Sequence, residues 1–243
     1  MDSPPVLFEV GSELGDSYIA AMELAGEYAY AGRDVVVDKV LEILGAEAVH
    51  EVHNHHNFAW REEHFGRTFW VVRKGCTPAR PGQEGFVGGS MGDQSVILAG
   101  VESPAATESL YSTVHGAGRV MSRTKAAGRV RRRKRWACSH RDCDRLFESD
   151  AKGSCPDHPT ARVRKVWVEE QISRGAVDWP AVQARLREQG IVLVGGGADE
   201  APEVYKRLPE VLAAHGDSIR VKHTLRPLGV AMAGRDVVDP YKD

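Results

Sequence analysis

A glycine-flanked histidine is the strongest candidate for chemistry in this sequence of 243 residues. In the segment His115-Gly116-Ala117-Gly118-Arg119, the small neighbours leave an open approach to the imidazole ring. A neutral imidazole can attack phosphorus and form a phosphoramidate, and an arginine four residues later can neutralise a phosphate oxygen. The motif is thus a candidate for a nucleophilic histidine that acts on a phosphate ester, and an ordinary exposed loop histidine is the competing interpretation.

Histidines also cluster earlier in the chain, between residues 52 and 64. This segment contains His53, His55, His56 and His64. Neutral imidazole binds Mn, Zn, Fe or Ni, so the cluster is a candidate metal site. A single histidine in such a loop more often makes structural hydrogen bonds, and both interpretations stay open for each of these residues.

Two further segments have the composition of phosphate-binding loops. The segment Arg73-Lys74-Gly75-Cys76-Thr77 places two cations at a predicted strand end, and its glycine would let a ligand approach the backbone. The segment Gly88-Gly89-Ser90-Met91-Gly92 could turn consecutive amides inward and form an anion-binding nest. Either segment alone would more often be an ordinary strand end or turn.

A third candidate site combines cysteines with a histidine in the spacing Cys138-x4-Cys143-x11-Cys155-x2-His158. Three thiolates and one imidazole make a tetrahedral ligand set of the kind that binds structural zinc. His140 is an alternative ligand, and incidental cysteines are the competing explanation. We expect a small zinc knuckle in this segment.

The segment that leads to these cysteines, residues 119–135, is strongly basic. It contains no acidic residue, and its cations are Arg119, Arg123, Lys125, Arg129, Arg131, Arg132, Arg133, Lys134 and Arg135. Runs of like charge are usually solvated or disordered. Beside a nucleic-acid site, such a run can also contact phosphates with salt-dependent affinity.

The overall composition is that of an ordinary globular protein, with 42% hydrophobic and 27% charged residues. A net charge of −2 excludes a global basic field, so any nucleic-acid signal must be local. No apolar run approaches the ~20 residues that a membrane helix needs. The first five residues show no basic region followed by an apolar stretch, so we expect a cytoplasmic protein.

The elements that must position these residues alternate between helices and strands, so the expected fold class is α+β. Four helices are predicted. The first spans 17–31, and the second runs from Asp34 as N-cap to Gly45 as its end. The third spans 180–189 with Asp178 as a possible cap, and the fourth spans 202–214. Strands are predicted at 49–52, 68–72, 95–98, 191–194 and 219–225.

The order of the motifs resembles the RtcB family of RNA-splicing and repair ligases. The matching motifs are His-Asn-x-Ala-x-x-Glu at 56–62, Arg-Lys-Gly-x-Thr at 73–77, Gly-Ser-Met-Gly at 89–92 and Ser-Thr-x-His-Gly-Ala-Gly-Arg-x-x-Ser-Arg at 112–123. The helix from Tyr18 and the segments 199–206 and 225–230 also look like this family. The resemblance covers nearly the whole chain except residues 124 to about 175.

The resemblance implies a ligase that joins an RNA 3′-phosphate or 2′,3′-cyclic phosphate to a 5′-hydroxyl with GTP and manganese. A histidine takes GMP from GTP, GMP passes to the RNA 3′-phosphate, and the 5′-hydroxyl then displaces it. His115 would be the nucleophile, His56 a manganese ligand and Asn57 a phosphate donor, while Arg73 and Lys74 would support the RNA or phosphate. The other implied nucleotide-binding residues are Gly89, Ser90, Met91, Ser95, Gly116, Ala117, Gly118, Arg119 and Tyr205.

The resemblance concerns the C-terminal half of the family's length. The N-terminal motifs of the family, which supply an aspartate, a cysteine and two histidines to manganese, do not occur in this sequence. We therefore expect a C-terminal half that needs its missing N-terminal half as a partner, is inactive alone and exposes apolar surface. The alternative is a noncatalytic RNA- or nucleotide-binding remnant.

Three segments are expected along the chain. They are a first part of the ligase core at 1–123, a basic segment with a zinc-knuckle insert at 124–175, and the C-terminal part of the core at 176–243. The family's C-terminal lysine, which contacts guanine, has Met232 near its place here, and Lys242 is a candidate substitute.

Overall fold

A computed structural model describes residues 6–148 and 155–232 of the chain. Helices and strands are mixed along it, as the expected α+β class requires. Lys242 lies outside the described residues. None of the helices in the described ranges combines the length and the apolar composition needed to cross a membrane.

Five α-helices and twelve strands make up the regular structure of the described ranges. The helices are α1 Glu13–Leu44, α2 Pro104–Glu108, α3 Arg123–Ala127, α4 Trp179–Glu188 and α5 Leu208–Ala213. The strands are β1 Asn57–His64, β2 Arg67–Lys74, β3 Cys76–Pro78, β4 Glu84–Val87, β5 Ser95–Gly100, β6 Ser112–Val114, β7 Gly128–Cys138, β8 Leu146–Phe147, β9 Val163–Arg174, β10 Val192–Val194, β11 Ile219–Leu225 and β12 Gly229–Ala231.

The strands form small sheets instead of one continuous layer. The strand orders are β1-β2, β3-β6, β11-β5-β4, β8-β7-β9 and β10-β12. The β10-β12 pair is parallel, and the other pairs of named strands are antiparallel.

The first helix is a single element, and the prediction of two helices is wrong. α1 runs through Gly32 and Asp34, because one glycine in a helix costs only about 1 kcal/mol relative to alanine. The Asp34 carboxylate does not cap a helix but lies 3.4 Å from Nδ1 of His53. The predicted end is confirmed, since Gly45 closes α1 with a left-handed φ of 61°.

The strand predictions are confirmed at 68–72, 95–98, 191–194 and 219–225, but the one at 49–52 is wrong. This segment reaches the sheet through side chains. The Asn54 side chain donates to the Glu84 carbonyl at 3.1 Å and accepts the Phe86 amide at 3.2 Å. It therefore occupies the edge of β4 that a neighbouring strand would otherwise use.

The predicted helix at 202–214 is confirmed in its second half and is wrong in its first half, whereas the one after Asp178 is confirmed. Asp178 accepts the Ala181 amide at 3.2 Å and caps α4. In the other segment a short 3-10 turn, Pro202–Val204, is followed by extended backbone, and α5 starts only at Leu208. Pro209 explains the break, because proline cannot donate in a helix interior and disfavours helical backbone at the preceding residue.

The basic segment forms ordered structure that its charge pattern did not predict. It continues through α3 into β7, which pairs with β9 from Gly128 opposite Arg174 to Cys138 opposite Val163. Acidic residues of β9 neutralise part of the charge, since Arg132 lies 3.0 Å from Glu169 and Arg133 lies 3.0 Å from Glu170. The long β7-β9 hairpin lies within the predicted insert at 124–175, whose boundaries stay a prediction.

The chain packs as two compact units, each with its own buried residues. Among described residues, the first comprises 6–89, 94–117 and 207–226, and the second comprises 90–93, 118–206 and 227–232. The first buries side chains of β3, β4 and β5, which are Thr77, Val87, Val96, Leu98 and Ala99. The core of the second consists of Met91, Ala126, Val182, Leu186, Ile191, Ala201 and Val204.

Candidate active site

The backbone around His115 is fixed from two sides within the first unit. β6 ends one residue before His115 and pairs with β3 along its whole length. Just beyond β6, Gly88 donates its amide to the His115 carbonyl at 3.4 Å and forms an isolated bridge with Gly116. The His115 side chain itself is exposed. The fold therefore holds the backbone of this residue and leaves the ring accessible.

The His115 ring lies against the ring of His56. The two rings are stacked with a centroid distance of 4.9 Å and an interplanar angle of 7°. Gly75 donates its amide to the His56 carbonyl at 2.8 Å and has a left-handed φ of 74°. A Cβ at Gly75 would lie 3.6 Å from Cδ2 and Nε2 of His115, so glycine suits both the turn and the space beside the ring.

The protonation of His115 suits a nucleophile. Partial burial lowers its pKa from the ordinary value of 6.5, and the nearby His56 ring lowers it further. Both effects disfavour the imidazolium form. The ring is therefore mostly neutral at neutral pH and has a lone pair available on one nitrogen.

Of the histidine cluster, His56 is the one whose ring stacks on His115, and the other three have structural contacts. His53 accepts a hydrogen bond from Arg33 Nε at 2.5 Å. His55 packs edge-on against Tyr30, with a centroid distance of 3.9 Å. His64 is buried and bonded to Glu62 at 2.7 Å. The structural interpretation of single histidines thus applies to His55 and His64, whereas the His53 ring also lies within 4.8 Å of carboxylate oxygens of Asp34 and Glu51.

Arg73 has a different setting from the one expected of a phosphate-binding residue. Its side chain is only 1% exposed. The guanidinium donates to both carboxylate oxygens of Glu62 at 2.7 and 3.0 Å, to Ser112 Oγ at 2.8 Å and to the Leu110 carbonyl at 2.8 Å. Because its donors are occupied and shielded from solvent, Arg73 positions the start of β6 and does not present its charge to a phosphate.

Lys74 and Asn57, in contrast, are exposed. They are paired opposite each other at the open end of the β1-β2 hairpin. Ser95 begins β5, and its hydroxyl accepts the Gly89 amide at 3.1 Å. These residues keep accessible polar groups at the strand ends of the first unit.

The second unit brings Arg119 and Tyr205 together, as the resemblance implies. The two residues form an isolated antiparallel bridge, and Arg119 donates to the Tyr205 hydroxyl at 2.9 Å. Tyr205 in turn donates to the Glu200 carboxylate. Burial, followed by this hydrogen bond, raises the pKa of Tyr205 to about 12, so its phenol is a stable donor at neutral pH.

Acidic residues complete this network, and no role was predicted for them from the sequence. Arg123 contacts Asp199 at 2.9 Å and also binds Glu200. Arg119 additionally donates to the Asp199 carbonyl at 2.5 Å. Asp199 and Glu200 belong to a segment that resembles the family, so the sequence did mark them. Their contact with the arginines could not be predicted because about 80 residues separate them in sequence.

Two of the predicted nucleotide-binding residues are buried. Met91 is 7% exposed and belongs to the core of the second unit. Ala117 is 6% exposed within the first unit. Their side chains therefore shape the backbone of their loops and offer little contact surface of their own.

The four predicted zinc ligands converge in the second unit. Their ligand atoms lie within 4.8 Å of one another, in the set Cys138, Cys143, Cys155 and His158. Burial opposes ionisation of the Cys155 thiol, but hydrogen bonds from His158 and from the Asp157 backbone lower its pKa to about 7. His140 is outside this set; its amide donates to Cys138 Sγ at 3.4 Å, and its ring stacks on His158 at 4.0 Å.

Comparisons with known proteins agree with these motifs. A family model described as tRNA-splicing ligase RtcB matches residues 2–161. The RNA-splicing ligase RtcB of Escherichia coli K12 is 32% identical over 230 residues, which cover 90% of this chain and 44% of that protein. The tRNA-splicing ligase RtcB of Archaeoglobus fulgidus is 35% identical over an alignment 252 residues long, which includes 91% of this chain and 43% of that protein.

A longer relative also matches this chain over only part of its own length. The tRNA-splicing ligase RtcB of Methanocaldococcus jannaschii is 31% identical over an alignment 253 residues long, which includes 90% of this chain and 21% of that protein. The chain thus spans less than half the length of these curated relatives. The family model covers more than half of the chain, and its match includes β6, His115 and the His56 segment. The chain belongs to the RtcB family.

Proposed function

We propose that this chain supplies the guanylylated histidine of an RNA ligase. The reaction joins an RNA 3′-phosphate, or a 2′,3′-cyclic phosphate after opening, to a 5′-hydroxyl with GTP and manganese. The observation that carries the proposal is the accessible His115 imidazole, which stacks on His56 at 4.9 Å and has a lowered pKa. Membership of the RtcB family and the names of its relatives support the choice of substrate.

The chemistry requires His115 to act first as a nucleophile and then as a leaving group. A ring nitrogen of His115 attacks the α-phosphorus of GTP, so a P–N bond forms and pyrophosphate leaves. An oxygen of the RNA 3′-phosphate then attacks the same phosphorus and breaks the P–N bond. The 5′-hydroxyl finally attacks the RNA 3′-phosphorus, and GMP leaves. A neutral imidazole suits the first transfer because one ring nitrogen has a free lone pair; the proton on the other nitrogen is lost as the phosphoramidate forms and is regained when the P–N bond breaks.

Charge on the transferred phosphate must be neutralised during these steps. The family resemblance gives this role to Arg119, which is partly exposed; within the second unit its guanidinium contacts Tyr205 and the Asp199 carbonyl and lies 3.6 Å from Glu200. Exposed Lys74 and Asn57 in the first unit could supply further donors to the RNA or the nucleotide. Arg73 is left out of this set because it is buried in its ion pair with Glu62.

The residues present do not by themselves fit a manganese site. His56 offers an exposed imidazole, but among described residues it belongs to no group of three or more converging His, Cys, Asp or Glu side chains. A metal ion that neutralises phosphate charge would need several protein ligands. We propose that the further ligands come from an N-terminal ligase half, the partner that the family resemblance implies.

The test is detection of guanylate on His115. The chain is mixed with an N-terminal half of an RtcB ligase, GTP and Mn²⁺, digested, and analysed by mass spectrometry. The peptide with residues 112–119 should carry GMP, and His115→Ala should abolish it. His223→Ala, which removes an exposed histidine of β11, is the matched control and should leave the adduct intact. Bound GTP without an adduct would instead favour the noncatalytic nucleotide-binding alternative.

We also propose that the insert binds one structural zinc ion. In a tetrahedral site, two thiolates at about 2.3 Å from zinc lie roughly 3.8 Å apart, and a thiolate and an imidazole nitrogen at about 2.0 Å lie roughly 3.5 Å apart. The Sγ atoms of Cys143 and Cys155 are 3.8 Å apart, and Cys138 Sγ lies 3.9 Å from His158 Nδ1. These spacings match a closed Cys3His site, and the His158 amide, which donates to the Cys155 carbonyl at 3.0 Å, makes the tight turn that such a site needs.

Metal analysis of the purified chain, kept reduced throughout, tests the zinc proposal. We expect about one zinc per chain, and loss of it in the double variant Cys143→Ser/Cys155→Ser. Cys76→Ser is the matched control because Cys76 lies outside the ligand set. His140→Ala should also retain zinc. Zinc that survives the double substitution would contradict the assignment.

A further inference from the structure

One face of the β7-β9 hairpin combines cations with aromatic rings. Cross-strand partners in an antiparallel pair share a face, and so do alternate residues along each strand. Lys134 is paired with Trp167, and the neighbouring pair on the same face is Trp136 with Lys165. Cations and indoles therefore alternate both along and across the two strands. We refer to these four residues as the Lys-Trp face.

The indoles of the Lys-Trp face are accessible to a ligand. Trp167 is 61% exposed, which is unusual for so large an apolar side chain. The Lys134 ammonium lies 5.5 Å from the centre of its ring, so one side of the indole carries a cation. Trp136 is half-buried, between Lys165 of β9 and Phe147 of β8 in the sheet. The face thus offers one exposed indole, with Lys134 on one side of its ring, and one half-buried indole.

The cations of this face also differ from other cations of the hairpin. Arg132 and Arg133 are ion-paired with Glu169 and Glu170. Lys134 and Lys165 are exposed and, among the residues that the structure describes, neither has a carboxylate within ion-pair distance. The hairpin therefore neutralises some of its charge internally and leaves these two lysines available to an anion.

We propose that the Lys-Trp face binds single-stranded RNA. Base stacking on exposed aromatic rings, flanked by cations that contact the phosphates, is the general way in which proteins hold single strands without reading their sequence. Charge complementarity favours a polyanion, and the indoles favour one with unpaired bases over a duplex or an acidic protein. The choice of RNA rests on the proposed function. The face itself is separate from the guanylylation chemistry, since none of its residues belongs to the proposed nucleotide-binding set.

The experiment is binding of a fluorescein-labelled single-stranded RNA to the full chain, measured by anisotropy without GTP or manganese. Trp167→Ala should raise the dissociation constant at least about fivefold, as expected for loss of one base stack. Trp167→Phe keeps an aromatic surface and should restore most of the affinity. Zinc content, measured for each variant, reports whether the hairpin is still folded.

Salt dependence separates phosphate contact from stacking. Removal of both lysines in Lys134→Ala/Lys165→Ala should lower the slope of log K against log salt by roughly 1.4, which is about 0.7 for each cation on a single strand. The matched control is Arg131→Ala/Arg164→Ala, which removes two exposed cations from the opposite face of the same two strands. It should change the slope by much less.

Three results would overturn the proposal. Equal weakening by the two double variants would show nonspecific attraction of a polyanion. Equal affinity for duplex RNA would show that the indoles do not stack on bases. Unchanged affinity in Trp167→Ala with zinc retained would show that the face is not used. None of these results depends on a guanylate at His115, so failure here is distinguishable from failure of the proposed ligase function.

Discussion

The histidine site around His115 and the cysteine cluster of the insert use similar ligand chemistry in opposite ways. At His115 the backbone is bound on both sides, but the ring, which stacks on His56, is exposed. In the insert the ligand atoms face one another within 4.8 Å, and Cys138 and Cys155 are buried. An open imidazole suits a group that must react, and a closed set suits a metal that only stabilises structure.

The ion pairs of the two regions also differ in their burial. The Arg73-Glu62 pair under β6 is buried, with side chains 1% and 6% exposed. The Arg132-Glu169 pair of the hairpin is exposed, with side chains 66% and 55% exposed. Buried pairs cost much when one partner is removed, whereas exposed pairs contribute about 1 kcal/mol or less. The open site therefore depends on a buried scaffold, whereas the exposed ion pairs contribute little to the stability of the hairpin.

The largest expected effect concerns ligation, because an open site needs groups from elsewhere. The chain alone should not join a 3′-phosphate RNA to a 5′-hydroxyl RNA with GTP and Mn²⁺. Addition of an N-terminal ligase half should raise ligation at least about a hundredfold, since electrostatic stabilisation of a developing charge is often of this size. Product formation on a denaturing gel measures it. Robust ligation by the isolated chain would contradict the view that His56 alone cannot hold manganese.

The second prediction compares zinc content, proteolysis and guanylate formation in variants of the two sites. Cys143→Ser/Cys155→Ser should speed limited proteolysis within residues 128–174 by about tenfold or more, because a closed zinc site contributes directly to folding. His115→Ala should leave both zinc content and proteolysis unchanged while removing the guanylate. If His115→Ala also exposed the hairpin to protease, the contrast between a reactive and a structural site would be lost.

The third prediction tests the buried scaffold. Arg73→Ala should lower the free energy of unfolding by about 3–5 kcal/mol, because it leaves the Glu62 carboxylate buried with fewer partners. Lys74→Ala, the exposed neighbour, should change it by about 0.5 kcal/mol or less. Chemical denaturation measures both. The double variant Arg73→Met/Glu62→Gln should lose less than the sum of the single variants, and additive losses would show that the pair is not coupled.

The smallest effect is a pH dependence from the same pair. Burial raises the pKa of Glu62, but hydrogen bonds from Arg73 and His64 outweigh it and lower the pKa below the ordinary 4.5. The stabilisation from Glu62 is thus complete above the unfolded pKa and is lost as pH falls towards the folded pKa. The slope cannot exceed about 1.4 kcal/mol per pH unit for one group. Chemical denaturation should be measured at several pH values between about 3 and 6, a range that contains the ordinary pKa of glutamate. The loss of stability with falling pH should be larger in the native chain than in Glu62→Gln.

Much of the candidate chemistry was predictable because it depends on residues that are near one another in sequence. The glycines beside His115, the Cys-x2-His turn, the Asp178 cap and the Gly45 terminator all act over a few residues, so their spacing was enough. Motif order also gave the family, which the comparisons confirm. Local patterns of this kind do not depend on how distant segments pack.

Only the tertiary structure decided which polar residues are free to act. Arg73 and Lys74 are neighbours in sequence, but Arg73 is held by Ser112 and Leu110 and is buried, whereas Lys74 is exposed. His53 and His56 both belong to the histidine cluster, yet His53 accepts a hydrogen bond from Arg33 whereas His56 lies beside His115. The hairpin likewise formed because a distant acidic strand pairs with the basic one. Each outcome depends on partners 20 or more residues away, whose positions only the folded chain defines.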